Sequence, residues 1–322
     1  MQILDKKIKE INEDKELSLK FISSKHNNLN INCNILNDNF YLDSHHYFPI
    51  TNNYFSFLEI FGWGDALKYQ NFYSKDFADN FKEKSGDFKT LSNIYVLGSS
   101  SVDNYYRNII TFLPRIFFNN EKKIKLAIHR NSANKFRDFI LYLCNKMNIE
   151  VQFIFLDDGF YKFINSKIPQ FINKEYSLKI LNSLKTSKAK KNKIYLTRQN
   201  STFRNLINEA DVIEKLKKFG FEAIDLNELK IIDQIQLFSN ADYIISPSGS
   251  ALTNIVFCNP ETKIIEISPI YNFEYEKNLK TRFQDICKIL NLNYLRIDAD
   301  SIDIAKIDNN KLDNSKIKII SS

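Results

Sequence analysis

The sequence predicts an α/β fold built from two doubly wound domains. Short apolar runs of strand length alternate with amphipathic helical patterns in both halves of the chain. A lysine-rich segment without apolar periodicity, Lys185–Lys193 (KTSKAKKNK), lies between the halves, and 322 residues at 43% hydrophobic are enough for two cores. We therefore predict an N-terminal domain at 1–184, a linker at 185–193 and a C-terminal domain at 194–322, whose last helix is a candidate to pack back on the first domain.

The N-terminal half contains one clear crossover unit. Apolar runs predict strands at Ile94–Leu97, Ile124–Ile128 and Val151–Leu156. Between the last two strands, helical spacing relates Phe136, Phe139, Ile140, Leu143 and Met147. A strand, a helix and a strand in this order form a parallel crossover. Before residue 90 we predict only a helix at Asp5–Lys20, because Asn27–Asn39 is too polar and Asn-rich for an assignment.

In the C-terminal half, a predicted strand at Lys193–Thr197 is followed by a helix with clear ends. Asn208 is the expected N-cap, Asp211 lies at the third helical position, and Gly220 is the expected terminator. The predicted apolar face of this helix consists of Val212, Ile213, Leu216 and Phe219.

The remaining elements of this half continue the alternation. We predict strands at Phe221–Asp225, Tyr243–Ser246 and Lys263–Ile267, and helices at Asp233–Asn240 and from about Ala251. The tight turn Pro247-Ser248-Gly249-Ser250 precedes the last of these helices. The result is a doubly wound sheet.

The charge and the cysteines exclude several classes of protein. The net charge of +7 comes from 45 basic and 38 acidic residues, and lysines occur along the whole chain, which does not favour a clustered nucleic-acid interface. No apolar run approaches the roughly 18 residues of a membrane span, and Met1–Glu10 is too charged for a signal peptide. We expect a cytoplasmic protein, with peripheral association at the inner membrane face left open. Reduced core thiols are expected at Cys33, Cys144, Cys258 and Cys287.

Polar loops follow several strands of the C-terminal domain. In parallel sheets, ligands bind beyond the carboxyl ends of the strands, where we find Arg198–Arg204, Asn227, Ser246–Ala251 and Ser268. A turn of small residues at a helix N-terminus favours an anion, and guanidinium groups bind phosphate through planar paired donors. The pattern predicts a diphosphate pocket, although a tight connection between strand and helix explains the turn equally well.

Three segments resemble glycosyltransferase family 61. Tyr195–Leu226 (YLTRQNSTFRNLINEADVIEKLKKFGFEAIDL) and Gln234–Pro269 (QIQLFSNADYIISPSGSALTNIVFCNPETKIIEISP) are similar to the carboxyl-terminal half of that family, including its Asn-Glu at a helix start and its Gly-Pro-His-Gly-Ala-Gly-Leu-Thr-Asn turn. Asp103–Arg115 (DNYYRNIITFLPR) is similar to the amino-terminal signature, Asn-Tyr-x-His-Trp with Leu-Pro-Arg behind it.

The resemblance implies a GT-B architecture of two facing domains around a cleft. It also implies inverting transfer from a nucleotide sugar, which we expect to be a UDP-sugar, without an essential metal or other cofactor. The expected acceptor is a glycan, such as a growing surface (capsular) polysaccharide, or a lipid-linked acceptor. The oligomeric state stays open.

By position in the family pattern, Arg198 and the turn Ser248-Gly249-Ser250 should hold the diphosphate, with Arg204 as a second phosphate contact. Thr253 and Asn254 continue the loop and helix, and a buried, hydrogen-bonded helix start is their alternative role. Glu266 is placed for ribose or sugar hydroxyls.

The chain departs from the family pattern at one histidine in each half. Ser248 stands where the turn has His, and Arg107-Asn108 stands where the signature has His-Trp. Either the site is retuned for another sugar or acceptor, with Arg107 supplying a positive charge, or the protein is a catalytically silent nucleotide- or glycan-binding or scaffold protein.

Single displacement also needs a base, which we expect from the first domain. Candidates at strand ends are His129, Asp157 and Asp158, with Asp103 at the start of the signature helix. The alternative for His129 is a surface position beside Arg130, and the alternative for Asp157 and Asp158 is a turn with Gly159. His45 and His46 are further candidates. No metal site is predicted, although Asp298-Ala299-Asp300 copies the DxD motif of the other glycosyltransferase fold.

Overall fold

The computed structural model shows an α/β protein that divides into two compact units, Met1–Ser177 and Leu178–Ser322. It describes residues 21–26, 29–44, 47–50, 88–100, 104–187, 192–200, 205–269, 277–303 and 315–318. The division falls within helix α2 (Lys174–Asn182). The predicted linker lies just after this division, and its last two residues, Asn192 and Lys193, already belong to a strand.

Unit 1 contains a mixed sheet. Its strands are β1 (Phe21–His26), β2 (Ile31–Asp43), β3 (Pro49–Ile50), β4 (Lys89–Ser92), β5 (Ile94–Val96), β6 (Lys123–His129), β7 (Glu150–Leu156) and β8 (Phe160–Pro169). The main order is β1-β2-β8-β5-β6-β7, with β5, β6 and β7 parallel and the β1–β2 hairpin antiparallel to its neighbours. This hairpin differs from a purely doubly wound domain.

The predicted crossover of unit 1 is confirmed. Helix α1 (Asn134–Lys146) connects β6 to β7, and it buries Phe136, Phe139, Ile140 and Leu143 as predicted. Because β5, β6 and β7 are parallel, the residues that follow them share one edge of the sheet. That edge carries the loop 97–100, His129 and the turn 157–159.

A buried arginine ties two strand ends of unit 1 together. The segment after residue 104 is helical in three successive forms, α at Tyr105–Arg107, π at Asn108–Phe112 and 3₁₀ at Leu113–Phe118. Arg115 in the last form is fully buried and donates hydrogen bonds to the carbonyls of Leu97 and Pro169. Burial lowers its pKa to about 10, so it stays protonated at neutral pH. The arginine of the Leu-Pro-Arg tripeptide is therefore a core residue here.

Unit 2 contains a largely parallel sheet with flanking helices. Its strands are β9 (Asn192–Leu196), β10 (Asn205–Leu206), β11 (Glu222–Ile224), β12 (Ala241–Pro247), β13 (Lys263–Pro269), β14 (Asn293–Asp303) and β15 (Ser315–Lys318). The order is β10-β15-β14-β13-β12-β9-β11, and only β14–β15 is antiparallel. The helices are α3 (Glu209–Lys217), α4 (Ile231–Ser239) and α5 (Lys277–Leu290).

The core of unit 2 confirms most of the predicted helix face. Val212, Ile213 and Leu216 of α3 pack against a buried cluster that includes Tyr195 and Ile267. Phe219 is 68% exposed, so its predicted place on this face is wrong. The helix ends at Lys217, and the chain beyond it no longer follows helical spacing.

Two further details of unit 2 differ from the prediction. Asn208 occupies the N-cap position, but its φ of −103° and ψ of 31° are not extended, and its side chain makes no capping bond. The helix after the tight turn is a 3₁₀ helix, Ser250–Phe257.

Two other predictions are confirmed. Gly220 terminates the helical turn with φ of +80°, as predicted. The four cysteines are buried and free, which confirms their assignment.

Candidate functional site

The turn between β12 and the 3₁₀ helix lies at the carboxyl edge of the unit 2 sheet. Ser248 is buried, and its backbone N–H donates to the Ile267 carbonyl of the neighbouring strand at 2.7 Å. Gly249 is the N-cap of the 3₁₀ helix. The first amides of a helix have no partner within the helix, so this turn presents hydrogen-bond donors at the edge of the sheet.

Arg198 meets this turn. It comes two residues after β9, the strand that pairs with β12, so the two strand ends are neighbours. A Cβ atom added to Gly249 would lie 1.9 Å from Nη1 of Arg198 and 2.7 Å from its Cζ. The φ of Gly249 is 179°, an extended value that any residue adopts. The guanidinium therefore occupies the space that a side chain at this position would take, and a larger residue here would force it to move.

Glu209, in the first turn of α3, is a buried carboxylate that binds the end of β9. Its Oε1 accepts hydrogen bonds from Tyr195 Oη at 3.0 Å, Thr197 Oγ1 at 3.1 Å and the Arg198 backbone N–H at 2.8 Å. Burial, followed by the charge of Glu209, raises the pKa of the Tyr195 phenol, which therefore stays a donor. Three donors converge on Oε1 and offset part of the cost of burying the charge, while Oε2 is buried without a hydrogen-bond partner among the described residues.

Thr253 and Asn254 are buried inside the 3₁₀ helix. The Asn254 amide donates to Gln234 Oε1 at 3.3 Å, and the Gln234 amide donates to the carbonyls of Leu226 and Leu229. This network ties the 3₁₀ helix to α4 and to the loop after β11. Thr253 Oγ1 is buried without a hydrogen-bond partner among the described residues. The contacts of Asn254 agree with the alternative role, a hydrogen-bonded helix start. Ser250, by contrast, is exposed.

Glu266 lies within β13 and is buried. Tyr294 Oη on β14 donates to its Oε2 at 2.6 Å. Burial, then the hydrogen bond to Glu266, raises the pKa of Tyr294, and burial with the Glu266 charge raises the pKa of Cys287 to about 12. Contact of Glu266 with ribose or sugar hydroxyls stays a prediction, and such a contact would have to share the carboxylate with Tyr294.

In unit 1, the strand-end edge brings His129 and Asp158 together. His129 Nε2 lies 2.7 Å from Asp158 Oδ1, while Nδ1 accepts the Asn131 backbone N–H at 3.1 Å. In the neutral imidazole the proton is therefore on Nε2 and is donated to Asp158. The backbone N–H of His129 donates to Ser99 Oγ at 2.8 Å. His129 is 1% exposed and the Asp158 side chain 64%, so the carboxylate is the member of the pair that solvent or a ligand can reach.

Asp157 has different partners. Arg130 Nε donates to its Oδ1 at 2.5 Å, and Lys89 Nζ lies 3.5 Å from its Oδ2. The hydrogen bond from Arg130 is the main cause that lowers the pKa of Asp157. A carboxylate whose pKa is lowered holds a proton less tightly, so these partners make Asp157 a weaker base. The two adjacent carboxylates therefore have different partners: Asp157 pairs with Arg130 and Lys89, and Asp158 pairs with His129.

Arg107 and Asn108, the two residues that differ from the family signature, lie in different environments. Arg107 is exposed, and its backbone N–H is capped by Asn104 Oδ1 at 3.0 Å. Asn108 is fully buried, and its Oδ1 accepts the Ser100 backbone N–H at 2.7 Å. Asn108 thus holds the loop after β5, next to the serine that binds His129, whereas Arg107 presents its charge outward.

Several predicted residues lie outside the described part of the chain. These are Asp103, Arg204, His45 and His46. Within the part that is described, no group of three or more His, Cys, Asp or Glu could hold a metal ion. None of the described helices is long and apolar enough to cross a membrane.

Glu209 is the site residue that the sequence reasoning did not assign. The sequence carries two signals for it, the Asn-Glu that the family has at a helix start and the acidic residue in the first turn of a helix, and the second usually reflects the helix dipole alone. Ser99 and Asn108, which hold the His129 loop, were missed as well. Their partners are distant in sequence, so spacing does not reveal them.

Part of the chain matches a protein-family model. The family model described as Glycosyltransferase 61 matches residues 95–265. This range includes the strand-end edges of both units, with His129, Asp158, Arg198 and the Gly249 turn. No curated protein matches the chain.

Proposed function

The chain belongs to glycosyltransferase family 61 and is a glycosyltransferase, and from that premise we propose that it transfers a sugar with inversion from a nucleoside diphosphate donor. The proposed donor is a UDP-sugar, and the proposed acceptor is a hydroxyl of a glycan, polysaccharide or lipid-linked glycan. The observation that carries the proposal is the approach of the Arg198 guanidinium to the Gly249 turn. The GT-B cleft is part of the same proposal.

The diphosphate is proposed to bind where this guanidinium meets the turn. An arginine offers planar paired donors to phosphate oxygens, and charge-assisted hydrogen bonds are the strongest that side chains make. The backbone N–H groups that begin the 3₁₀ helix add further donors. Together these groups would stabilise the negative charge that develops on the leaving diphosphate, in a reaction that does not need a metal ion.

Asp158 is proposed as the base that accepts the proton of the acceptor hydroxyl. It is exposed, whereas His129 behind it is buried with both ring nitrogens in hydrogen bonds. His129 would orient the Asp158 carboxylate, and transfer of the sugar would proceed by attack of the acceptor oxygen on the anomeric carbon as the diphosphate leaves. Asp103 stays a further candidate for the base, and Arg107 stays a candidate for supplying a positive charge in place of the family's histidine.

A titration with nucleotides and a donor-cleavage assay test this function. We expect saturable UDP binding that persists in EDTA, and release of UDP from a UDP-sugar when a glycan acceptor is supplied. Ligand at 100 times its Kd should stabilise the fold by about 2.7 kcal/mol in thermal unfolding. Nucleotide binding without turnover, over broad donor and acceptor panels, would instead favour the catalytically silent protein.

Gly249→Ala tests the place of the diphosphate. The added methyl group would occupy the position of the Arg198 guanidinium, so the side chain must move away. We expect the Kd for UDP to rise about tenfold, the loss of roughly one hydrogen bond to a charged group. Because the backbone of Gly249 is extended, alanine should leave the thermal midpoint nearly unchanged. Unchanged UDP affinity in calorimetry would show that Arg198 and the turn do not act on the nucleotide together.

A further inference from the structure

Glu209 links helix α3 to the residue that reaches the Gly249 turn. One oxygen of its carboxylate accepts three hydrogen bonds, and the shortest of them, at 2.8 Å, comes from the backbone N–H of Arg198. The other two donors, Tyr195 Oη and Thr197 Oγ1, lie on the three residues before Arg198. The carboxylate thus holds the backbone of the segment 195–198, from which the Arg198 side chain extends.

The charges of this group act on each other. Tyr195 is 1% exposed and Glu209 3%, so solvent screens the carboxylate little. The charge of Glu209 raises the pKa of the Tyr195 phenol, and the charge of Arg198 lowers it. Glu209 in the first turn of α3 and Arg198 in the loop after β9 therefore have opposite effects on the pKa of the same buried phenol.

The Arg198 side chain ends beside Gly249. Its Nη1 occupies the space beside Gly249 in which a Cβ would lie. At the other end of the residue, the backbone N–H of Arg198 is held by its hydrogen bond to Glu209 Oε1, so the carboxylate helps to set the direction in which the side chain starts. A carboxylate would repel a phosphate, so Glu209 is suited to act through Arg198 and not on the ligand.

We propose that Glu209 is a positioning residue for diphosphate recognition, which holds Arg198 over the Gly249 turn. This inference rests on the proposed function, because it assumes that a nucleoside diphosphate is the ligand. It assigns a role to a residue that contacts the end of β9 and acts on Arg198 without itself binding the ligand. The role is specific to the phosphates, so it should not affect recognition of the nucleoside part.

A double-mutant cycle in UDP binding tests this role. Glu209→Gln keeps the size of the side chain and removes its charge, and we expect the Kd for UDP to rise about tenfold. In the Arg198→Ala background, Glu209→Gln should change the Kd less than twofold, because the residue through which it acts is absent. Binding of uridine should change little in every variant. Glu214→Gln, on the exposed side of the same helix, is the matched control and should bind UDP as the unaltered chain does.

The possible results distinguish failure of the inference about Glu209 from failure of the proposed function. If Glu209 only stabilised the fold, Glu209→Gln would weaken uridine and UDP equally, and its effect would add to that of Arg198→Ala; either result would overturn the inference. If Glu209→Gln fails to fold, Thr197→Val removes a donor to the same oxygen without changing the charge, and it should give a smaller loss of UDP affinity with uridine binding unchanged; an unchanged UDP affinity would overturn the inference. If the unaltered chain binds no UDP, ADP, GDP or CDP, the proposed function and the inference both fail.

Discussion

Arg198→Ala should raise the Kd for UDP by on the order of 100-fold while the protein stays folded. The guanidinium is the side chain that meets the Gly249 turn, and two charge-assisted hydrogen bonds to phosphate account for a loss of this size. The side chain is only partly buried, and the contact that fixes the Arg198 backbone uses its N–H, which alanine retains. Calorimetric titration gives the affinity, and thermal unfolding reports the fold.

A lysine at this position is the sharper control. Arg198→Lys keeps the positive charge but loses the planar fork, so its Kd should lie between those of the unaltered chain and Arg198→Ala. Equal losses in both variants would indicate that geometry alone matters. Unchanged UDP affinity in Arg198→Ala would refute a diphosphate pocket at this turn.

The carboxyl edge of the unit 2 sheet could be predicted from the sequence because parallel strands place their ends together. Arg198 and Gly249 are 51 residues apart along the chain, yet the strands that they follow, β9 and β12, are paired in the sheet. Apolar runs located both strands, and the edge rule then brought the arginine and the turn to the same place. What could not be predicted was the closeness of the contact, which depends on the path of the chain after β9.

The roles of individual polar residues are harder to predict from the sequence. Asp157 and Asp158 are adjacent and identical in type, yet one pairs with Arg130 and Lys89 and the other with His129. Only tertiary contacts make this distinction. Glu209 is similar, since its three donors lie 11 to 14 residues earlier in the chain.

The misses in the fold have comparable causes. The polar segment Asn27–Asn39 carries no predicted element because of its asparagines, although β2 alternates buried Ile31, Cys33 and Ile35 with more exposed neighbours. The alternation is a strand signal that the asparagine content obscured. Composition is thus a weaker guide than periodicity when a strand has one polar face.

Asp158→Asn should lower kcat by about a thousandfold, within the range that general bases contribute, while UDP binds as before. Asparagine has the same shape, and its Oδ1 can still accept the hydrogen bond from His129 Nε2, so the loop should keep its geometry. What the amide cannot do is accept a proton from the acceptor hydroxyl. Steady-state assays with saturating donor and acceptor measure the loss.

Two matched variants decide whether this loss belongs to a base. Asp157→Asn removes a carboxylate that is already paired with Arg130, so kcat should change far less than in Asp158→Asn. His129→Gln removes only the group behind the carboxylate, and a loss smaller than that of Asp158→Asn is expected because the base itself remains. If His129→Gln instead abolished turnover and Asp158→Asn did not, the imidazole would be the base and the carboxylate its partner. The buried position of His129 and the exposure of Asp158 argue for the opposite order, since an acceptor hydroxyl must reach the group that takes its proton.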